Sequence, residues 1–277
     1  MRSTAGSVRA KKKSSGGIFE TIKTIVYAIL IALVVRTVAY EPFNIPSGSM
    51  IPTLLVGDYL FVSKFSFGYS RVSLPFGLPL FSGRILEFYH PERGEVTVFW
   101  NPLAKPAPAD FIKRIVGLPG DKIQMIHGHL NINGQEVPRK QIDDCVLQDG
   151  GNVLLMHQYI ESLPRGPNEP PLDHRIVKVS DEGGLNDVGP YEVPQGYYFG
   201  MGDNRDNSED SRVMSAVGFI PAENLVGPAK FLFFSTDGSA AWWEVWKWPF
   251  AIRYSRLLHG IQGEGPSSPN SVGGRCE

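Results

Sequence analysis

Cysteine is scarce in this chain, which has only Cys145 and Cys276 among its 277 residues. Two cysteines cannot build the framework of several bridges that holds small disulfide-rich domains, and they are too few for a cysteine-rich zinc site. A single bridge between them is possible outside the cytosol. However, Cys276 is the penultimate residue of a tail rich in glycine, serine and proline, and this position favours two unpaired cysteines.

The chain also lacks an excess of charge of either sign. Its 27 lysines and arginines against 28 aspartates and glutamates give a net charge of -1, which excludes the general basic surface of nucleic-acid-binding proteins. Metal motifs are missing as well. The six histidines form no H-E-x-x-H, and the acidic stretch 202–212 lacks the spacing of a calcium loop. We therefore expect no nucleic-acid partner and no metal site.

Long apolar runs are few, and the clearest one lies near the N-terminus. The uncharged run 25–35 would span only about 16 Å as a helix, but the segment 18–40 would span about 35 Å, enough to cross a bilayer. Lysine and arginine are concentrated before this segment. We therefore predict a basic cytoplasmic tail over 1–17, a transmembrane anchor over 18–40 and an extracytoplasmic remainder.

Two other interpretations of this apolar segment stay open. A cleavable signal peptide has the same basic start and short apolar core, and Thr37-Val38-Ala39 would be its small-x-small cleavage site. Arg36, between the core and that site, disfavours cleavage. A buried helix of a soluble protein is disfavoured because apolar residues occur all the way round the segment.

The chain after residue 40 has the pattern of short β-strands separated by glycine and proline. Asn133-Gly134 between two such runs predicts a hairpin with a type I′ turn. We predict a mostly β, antiparallel domain over 41–236, with an inserted β region over about 127–195 and an exposed Pro-rich connection at 165–172. The predicted strands are 58–64, 94–100, 111–116, 122–126, 129–132, 135–137, 175–179, 196–201 and 230–234.

The segment 237–261 contains most of the tryptophan in the chain. Its aromatic residues alternate with lysine and arginine, a composition typical of a segment at a membrane interface. Ordinary packing into the core is the alternative. The tryptophans of segment 237–261 are Trp242, Trp243, Trp246 and Trp248.

The remaining residues, 262–277, are rich in glycine, serine and proline and are predicted to be disordered.

Two short stretches could carry chemistry. Ser49 follows Gly48 in a proline-flanked stretch, 44–54, which by itself fits a surface turn. Lys113 lies in 111–116, whose alternation leaves apolar residues on both faces, so that burial would lower the lysine pKa and produce a base. By itself, this lysine also fits an edge strand protected against aggregation. No histidine lies in a recognisable triad context.

Taken together and in order, the stretches that follow the apolar segment resemble the bacterial type I signal peptidases, or leader peptidases. The resemblance covers about 40–230. The chain departs from the family pattern in having one membrane segment where the family has two, in a longer stretch at 213–217, and in lacking the family's cysteine pair. The matching motifs are Pro46-Ser47-Gly48-Ser49-Met50-x-Pro52-Thr53-Leu54, Gly57-Asp58 with Lys64, Arg93-Gly94-Glu95-Val96, Ile112-Lys113-Arg114-x-Val116-Gly117-Leu118-Pro119-Gly120-Asp121, and Gly202-Asp203-Asn204-Arg205-Asp206-Asn207-Ser208-x-Asp210-Ser211-Arg212.

The resemblance implies a membrane-bound serine endopeptidase that removes signal peptides from exported preproteins after small-x-small sites, without a cofactor. Ser49 would be the nucleophile and Lys113 the general base, oriented by Ser208. The oxyanion would be held by the Ser49 backbone N–H and the Ser47 hydroxyl. Supporting ion pairs would come from Asp203, Asp210, Arg114 and Arg212. The substrate would contact Phe43, Ile45, Pro46, Met50, Asp110, Phe111 and Ile112.

The same resemblance implies a place in the bacterial inner membrane, with the catalytic domain in the periplasm and the lipid bilayer as a partner. Two alternatives stay open. The self-cleaving Ser/Lys repressors have a DNA-binding N-terminus in place of an anchor, so residues 1–40 disfavour them. An inactive, membrane-tethered peptide-binding domain is disfavoured because the serines and the lysine of the motifs are all present.

Overall fold

The N-terminal apolar segment forms one long helix, α1, over Gly17–Val38. Within it, Phe19–Val38 is long and apolar enough to cross a membrane, and 22 residues of helix span about 33 Å. The described large apolar side chains of α1 are exposed. The predicted apolar helix is therefore confirmed, and the predicted tail 1–17 lies outside the described residues apart from Gly17. The computed structural model describes residues 17–73, 83–149, 152–166, 168–241, 243–261 and 276.

A single residue joins α1 to the first strand, β1, over Tyr40–Asn44. The helix therefore ends before residue 40, the predicted end of the anchor, because Tyr40 already pairs with the next strand. Two contacts brace this junction. The Tyr69 hydroxyl donates a hydrogen bond to the Val38 carbonyl at 2.6 Å. The Arg36 guanidinium lies 3.1 Å from the Glu41 carboxylate.

The rest of the described chain is mostly β, as predicted, and its strand pairs are antiparallel. A four-residue helix, α2 (Trp248–Ala251), and short 3-10 turns complete it. The strands are β1 (Tyr40–Asn44), β2 (Asp58–Ser63), β3 (Tyr69–Ser70), β4 (Arg84–Ile85), β5 (Val96–Asn101), β6 (Ala109–Gly117), β7 (Lys122–Ile126), β8 (His129–Ile132), β9 (Gln135–Glu136), β10 (Arg139–Asp149), β11 (Asn152–Leu163), β12 (Leu172–Lys178), β13 (Val188–Glu192), β14 (Tyr197–Met201), β15 (Ile220–Pro221) and β16 (Leu225–Ser235).

The strands form one large sheet and three smaller ones. The large sheet has seven strands in the order β1-β2-β16-β5-β6-β14-β15. The smaller sheets have the orders β13-β7-β8-β9, β10-β11-β12 and β3-β4. Alternation builds the core of the large sheet. In β2, Leu60 and Val62 are fully buried, whereas Tyr59 and Phe61, the residues directly before each of them, are not.

The predicted hairpin at Asn133-Gly134 is confirmed. Both residues have positive φ, 55° and 80°, as a type I′ turn requires. The long hairpin of β10 and β11 is a different case, because the sequence pattern predicts no strand between 138 and 163. Together with β12 this hairpin forms the three-stranded sheet.

The two cysteines are joined in a disulfide, contrary to the sequence-based expectation. Both are 1% exposed. The C-terminal end reaches β10, where the Cys276 N–H donates to the Val146 carbonyl at 3.2 Å. Ile51 and Leu55, from the segment that follows Ser49, belong to the same buried cluster as the bridge. The rest of the predicted disordered tail lies outside the described residues.

The tryptophan-rich segment packs on the large sheet with one side and exposes the other. Arg256 is buried and its guanidinium lies 2.6 Å from the Asp58 carboxylate. In contrast, Trp246 is 66% exposed, Phe250 87% and Leu258 77%. Core packing therefore accounts for the inner residues of the segment and leaves its exposed aromatic residues unexplained. Trp242 lies outside the described residues.

Candidate functional site

Ser49 lies in a short 3-10 turn, Gly48–Met50, directly after Ser47 in extended conformation. The turn is fixed by the core, since the Met50 side chain is fully buried in one cluster with Leu54 and residues of β2. Met50 was predicted to contact substrate, but in this structure the core encloses its side chain. Ser49 itself stays partly exposed.

Lys113 in β6 points at Ser49. Its Nζ lies 2.7 Å from the Ser49 Oγ, although 64 positions separate the two residues in the chain. The lysine is 3% exposed, and the ring of Phe111 lies 5.7 Å from its Nζ. Burial lowers the pKa of Lys113 to about 8, against the opposing effect of the Asp210 and Asp203 carboxylates. A lysine with this pKa can accept a proton from a hydroxyl near neutral pH.

The loop after β14 holds the serine turn in place. The Asn204 backbone N–H donates to the Ser49 carbonyl at 3.1 Å, and its side-chain amide donates to the Gly48 carbonyl at 3.1 Å. At Gly202, an added Cβ would come within 2.5 Å of the Ser49 carbonyl oxygen and 2.2 Å of the Ser208 Oγ. Both residues lie in the acidic motif, but sequence analysis gave them no role because their contacts are with a distant segment.

Ser208 was predicted to hydrogen-bond Lys113, but this hydrogen bond is not formed in the structure. The Ser208 Oγ is buried and has no hydrogen-bond partner among the described residues. The Lys113 ammonium is directed at the Ser49 hydroxyl instead. The Ser208 hydroxyl lies close to Gly202, on the same side as the Ser49 carbonyl.

A buried ion pair lies close to Ser49 and Lys113. The Arg114 guanidinium contacts both oxygens of Asp203 at 2.8 and 2.7 Å, and both side chains are at most 1% exposed. The Thr53 hydroxyl donates to Asp203 at 2.5 Å, which links the pair to the serine segment. Burial alone would raise the pKa of the Asp203 carboxyl, but Arg114 holds it below its ordinary value. The predicted contact between Arg114 and Asp203 is present.

A second pair joins Asp210 to Arg212 at 2.8 Å, and both side chains are fully buried. Asp210 also accepts the Gly202 N–H at 3.0 Å. The structure adds a third pair that sequence analysis missed, between Arg205 and Glu161 of β11. Nearby, burial lowers the pKa of His174 to about 4, so this histidine is neutral at physiological pH.

A groove of about 710 Å³ leads to Ser49 and Lys113. One wall comes from β1 and the residues after it, and the other comes from the first half of β6. β14 pairs with β6 only over 114–117, which leaves 109–113 without a strand partner on that side among the described residues. Apart from Met50, the predicted substrate-contacting residues all line the groove, and so does Ser47. They are Phe43, Ile45, Pro46, Asp110, Phe111 and Ile112.

The described residues contain no cluster of histidine, cysteine, aspartate and glutamate that could hold a metal ion. The groove places a hydroxyl next to a lysine of lowered pKa. Backbone groups of a strand edge and the first turn of a 3-10 helix flank this pair.

Comparison with known proteins finds similar chains. A family model described as "Signal peptidase, peptidase S26" matches residues 18–234. Signal peptidase I of Rickettsia typhi is 38% identical over 269 residues, covering 91% of this chain and 97% of the relative. Signal peptidase I of Rickettsia prowazekii is 40% identical over 253 residues, covering 85% and 90%. A crystal structure of a signal peptidase I from Enterococcus faecalis is 25% identical and covers 50% of this chain and 96% of that one, with a TM-score of 0.28.

Proposed function

We propose how this chain, which belongs to the signal peptidase family, peptidase S26, removes signal peptides. Ser49 attacks the carbonyl of the scissile bond while neutral Lys113 takes its proton. The protonated lysine then gives this proton to the leaving amine, and the same base activates water to release the acyl group. The observation that carries the proposal is the 2.7 Å contact between the Lys113 Nζ and the Ser49 Oγ at a buried site.

The oxyanion formed in this attack is bound by the Ser49 backbone N–H and the Ser47 hydroxyl. Ser49 lies in the first turn of its 3-10 helix, where backbone N–H groups have no partner within the helix. The Ser47 side chain is exposed to the groove and makes no hydrogen bond with the described residues. Losing one such donor typically costs about 2.7–4 kcal/mol of transition-state stabilisation.

The substrate lies extended in the groove and adds a strand at the free edge of β6. Residues 109–113 supply unpaired backbone groups for this, and β1 forms the opposite wall. We call Ser49 and Lys113 the dyad. Ile45, Phe111 and Ile112 bring apolar side chains close to it. Small substrate residues at the first and third positions before the cut fit such a narrow apolar floor.

The catalytic domain lies outside the cytoplasm, anchored by α1 with the N-terminus inside. The disulfide between Cys145 and Cys276 supports this placement, because such bonds persist in oxidising compartments such as the bacterial periplasm. The basic residues before α1 support the same orientation. In this arrangement the groove opens next to the membrane surface, where signal peptides emerge.

The direct test is incubation of the full chain with an exported preprotein in detergent, followed by mass spectrometry of the product. We expect one new N-terminus, directly after a small-x-small sequence. An intact preprotein under conditions in which the protein is folded would refute the proposed function.

We further expect the exposed aromatic side of the tryptophan-rich segment to bind the bilayer. Replacing Trp246, Phe250 and Leu258 together by serine should weaken membrane partitioning of residues 41–277 at least tenfold, since burying one such side chain contributes about 1.5–3 kcal/mol. Flotation with liposomes measures this. The fold should be kept, because Arg256 and the disulfide are untouched.

The matched control for this membrane experiment is Leu155→Ser, which removes a similarly exposed apolar side chain from β11. It should float like the wild type. Equal flotation of the triple variant and the wild type would contradict the expected binding of these three side chains to the bilayer.

A further inference from the structure

The groove has one carboxylate near each end, and the two differ in their distance from the dyad. Asp110 lies three residues before Lys113 in β6, which places it about 10 Å away along the strand. Glu209 lines the groove at the dyad end, in the loop that also carries Asn207. Both carboxylates are exposed, and neither makes an ion pair or a hydrogen bond with a described side chain.

The electrostatic balance of the groove depends on the protonation of Lys113. Among the residues that line the groove, Lys113 is the one cation, and Asp110 and Glu209 are the two anions. The catalytic form requires a neutral Lys113. With Lys113 neutral, the residues that line the groove therefore carry the charge of Glu209 and, above its pKa, that of Asp110, whose pKa is raised to about 6 by burial.

Glu209 lies close enough to Lys113 to affect it electrostatically. Burial lowers the pKa of Lys113, and the carboxylates of Asp210, Asp203 and, with a smaller effect, Glu209 oppose this lowering. Of these three carboxylates, Glu209 is the one that lines the groove. Glu209 occupies the unspecified position of the acidic motif, so the resemblance assigns this residue no role.

The geometry points to Glu209 as a specificity-determining residue, which selects against acidic residues just after the scissile bond and favours basic ones. This inference rests on the proposed function. β1 and the first half of β6 both run towards the dyad and take the substrate residues before the cut. Glu209, at the dyad end, is then nearest to the first residues of the mature protein.

The size of the effect follows from Coulomb's law. Two unit charges about 6 Å apart in a solvent-exposed groove change a rate by about 3- to 10-fold. Such an interaction is screened by salt, because the Debye length falls from about 10 Å at 0.1 M to about 3 Å at 1 M. We therefore expect a preference that weakens with ionic strength. A preference caused by the shape of the groove would not depend on salt in this way.

The test compares kcat/KM of the full chain for three preprotein peptides that carry lysine, glutamine or glutamate at the second position after the cut. For the wild type we expect the order lysine, glutamine, glutamate, with a total range of about 10-fold at low salt. Glu209→Gln should reduce this range to less than about 2-fold, and 1 M salt should do the same to the wild type.

Two controls separate the possible outcomes. Glu192→Gln removes an exposed carboxylate on β13, outside the groove, and should leave the wild-type range unchanged. Asp110→Asn should act on charges placed about four residues before the cut and not on those after it. Cleavage of all three peptides at equal rates would overturn the role of Glu209, whereas the absence of any cleavage would overturn the proposed function.

Discussion

Replacing Ser49 by alanine is expected to abolish cleavage, with a loss on the order of 10⁶-fold in kcat, as in other serine proteases. Lys113→Ala should lower kcat by at least 10²–10⁴-fold, the usual contribution of a general base. Both losses have one physical origin. The hydroxyl cannot attack while it keeps its proton, and in the proposed mechanism the Lys113 Nζ, 2.7 Å away, takes that proton. Single-turnover cleavage of a preprotein measures both variants.

The pH profile of the wild type tests the role of Lys113 separately. With a pKa of about 8, roughly one tenth of the molecules hold this lysine neutral at pH 7. The cleavage rate should therefore rise about tenfold per pH unit below pH 8 and level off above it. Near-full activity of Lys113→Ala, or a rate that does not change between pH 6 and 9, would place the base elsewhere.

Breaking the ion pair between Arg114 and Asp203 is expected to have the largest effect on stability. Arg114→Met leaves the Asp203 carboxylate buried without its cation, a change that typically costs about 3–5 kcal/mol. The effect should extend to activity, because Asp203 also binds Thr53 in the segment that follows Ser49. Denaturant unfolding of the full chain in detergent measures the loss of stability.

The double variant Arg114→Met with Asp203→Asn is the control for that ion pair. It removes both charges, so we expect it to be more stable than Arg114→Met alone. Arg165→Met serves as the matched surface change, since Arg165 forms a more exposed pair with Glu92, and it should cost at most about 1 kcal/mol. Equal losses in Arg114→Met and Arg165→Met would contradict the importance of the buried pair.

Local pattern was sufficient for much of the fold. The apolar helix, the hairpin at Asn133-Gly134 and the existence of β6 all follow from spacing along the chain. The alternation also indicated that a cation of β6 would point into apolar surroundings, and both Lys113 and Arg114 are buried. These features depend on neighbours in sequence, so the sequence could predict them.

The features that sequence analysis missed depend on contacts between distant segments. The hairpin of β10 and β11 has a register shift between Gln141 and Asp144, which interrupts the alternation that marks a strand. The disulfide depends on the path by which the chain end returns to β10. Likewise, no local signal shows that Met50 points into the core while its neighbour Ser49 faces the groove.

The braced junction between α1 and β1 fixes the position of the groove relative to the helix. Only one residue separates the helix from the strand that forms a wall of the groove, and Tyr69 and Glu41 hold the two elements together. If α1 spans the bilayer as proposed, the nine residues from Tyr40 set the height of Ser49 above it, at most about 32 Å of extended chain. We therefore expect a preprotein to be cut only if its own stretch between membrane and cleavage site matches that height, so that selection by length accompanies selection by side chain.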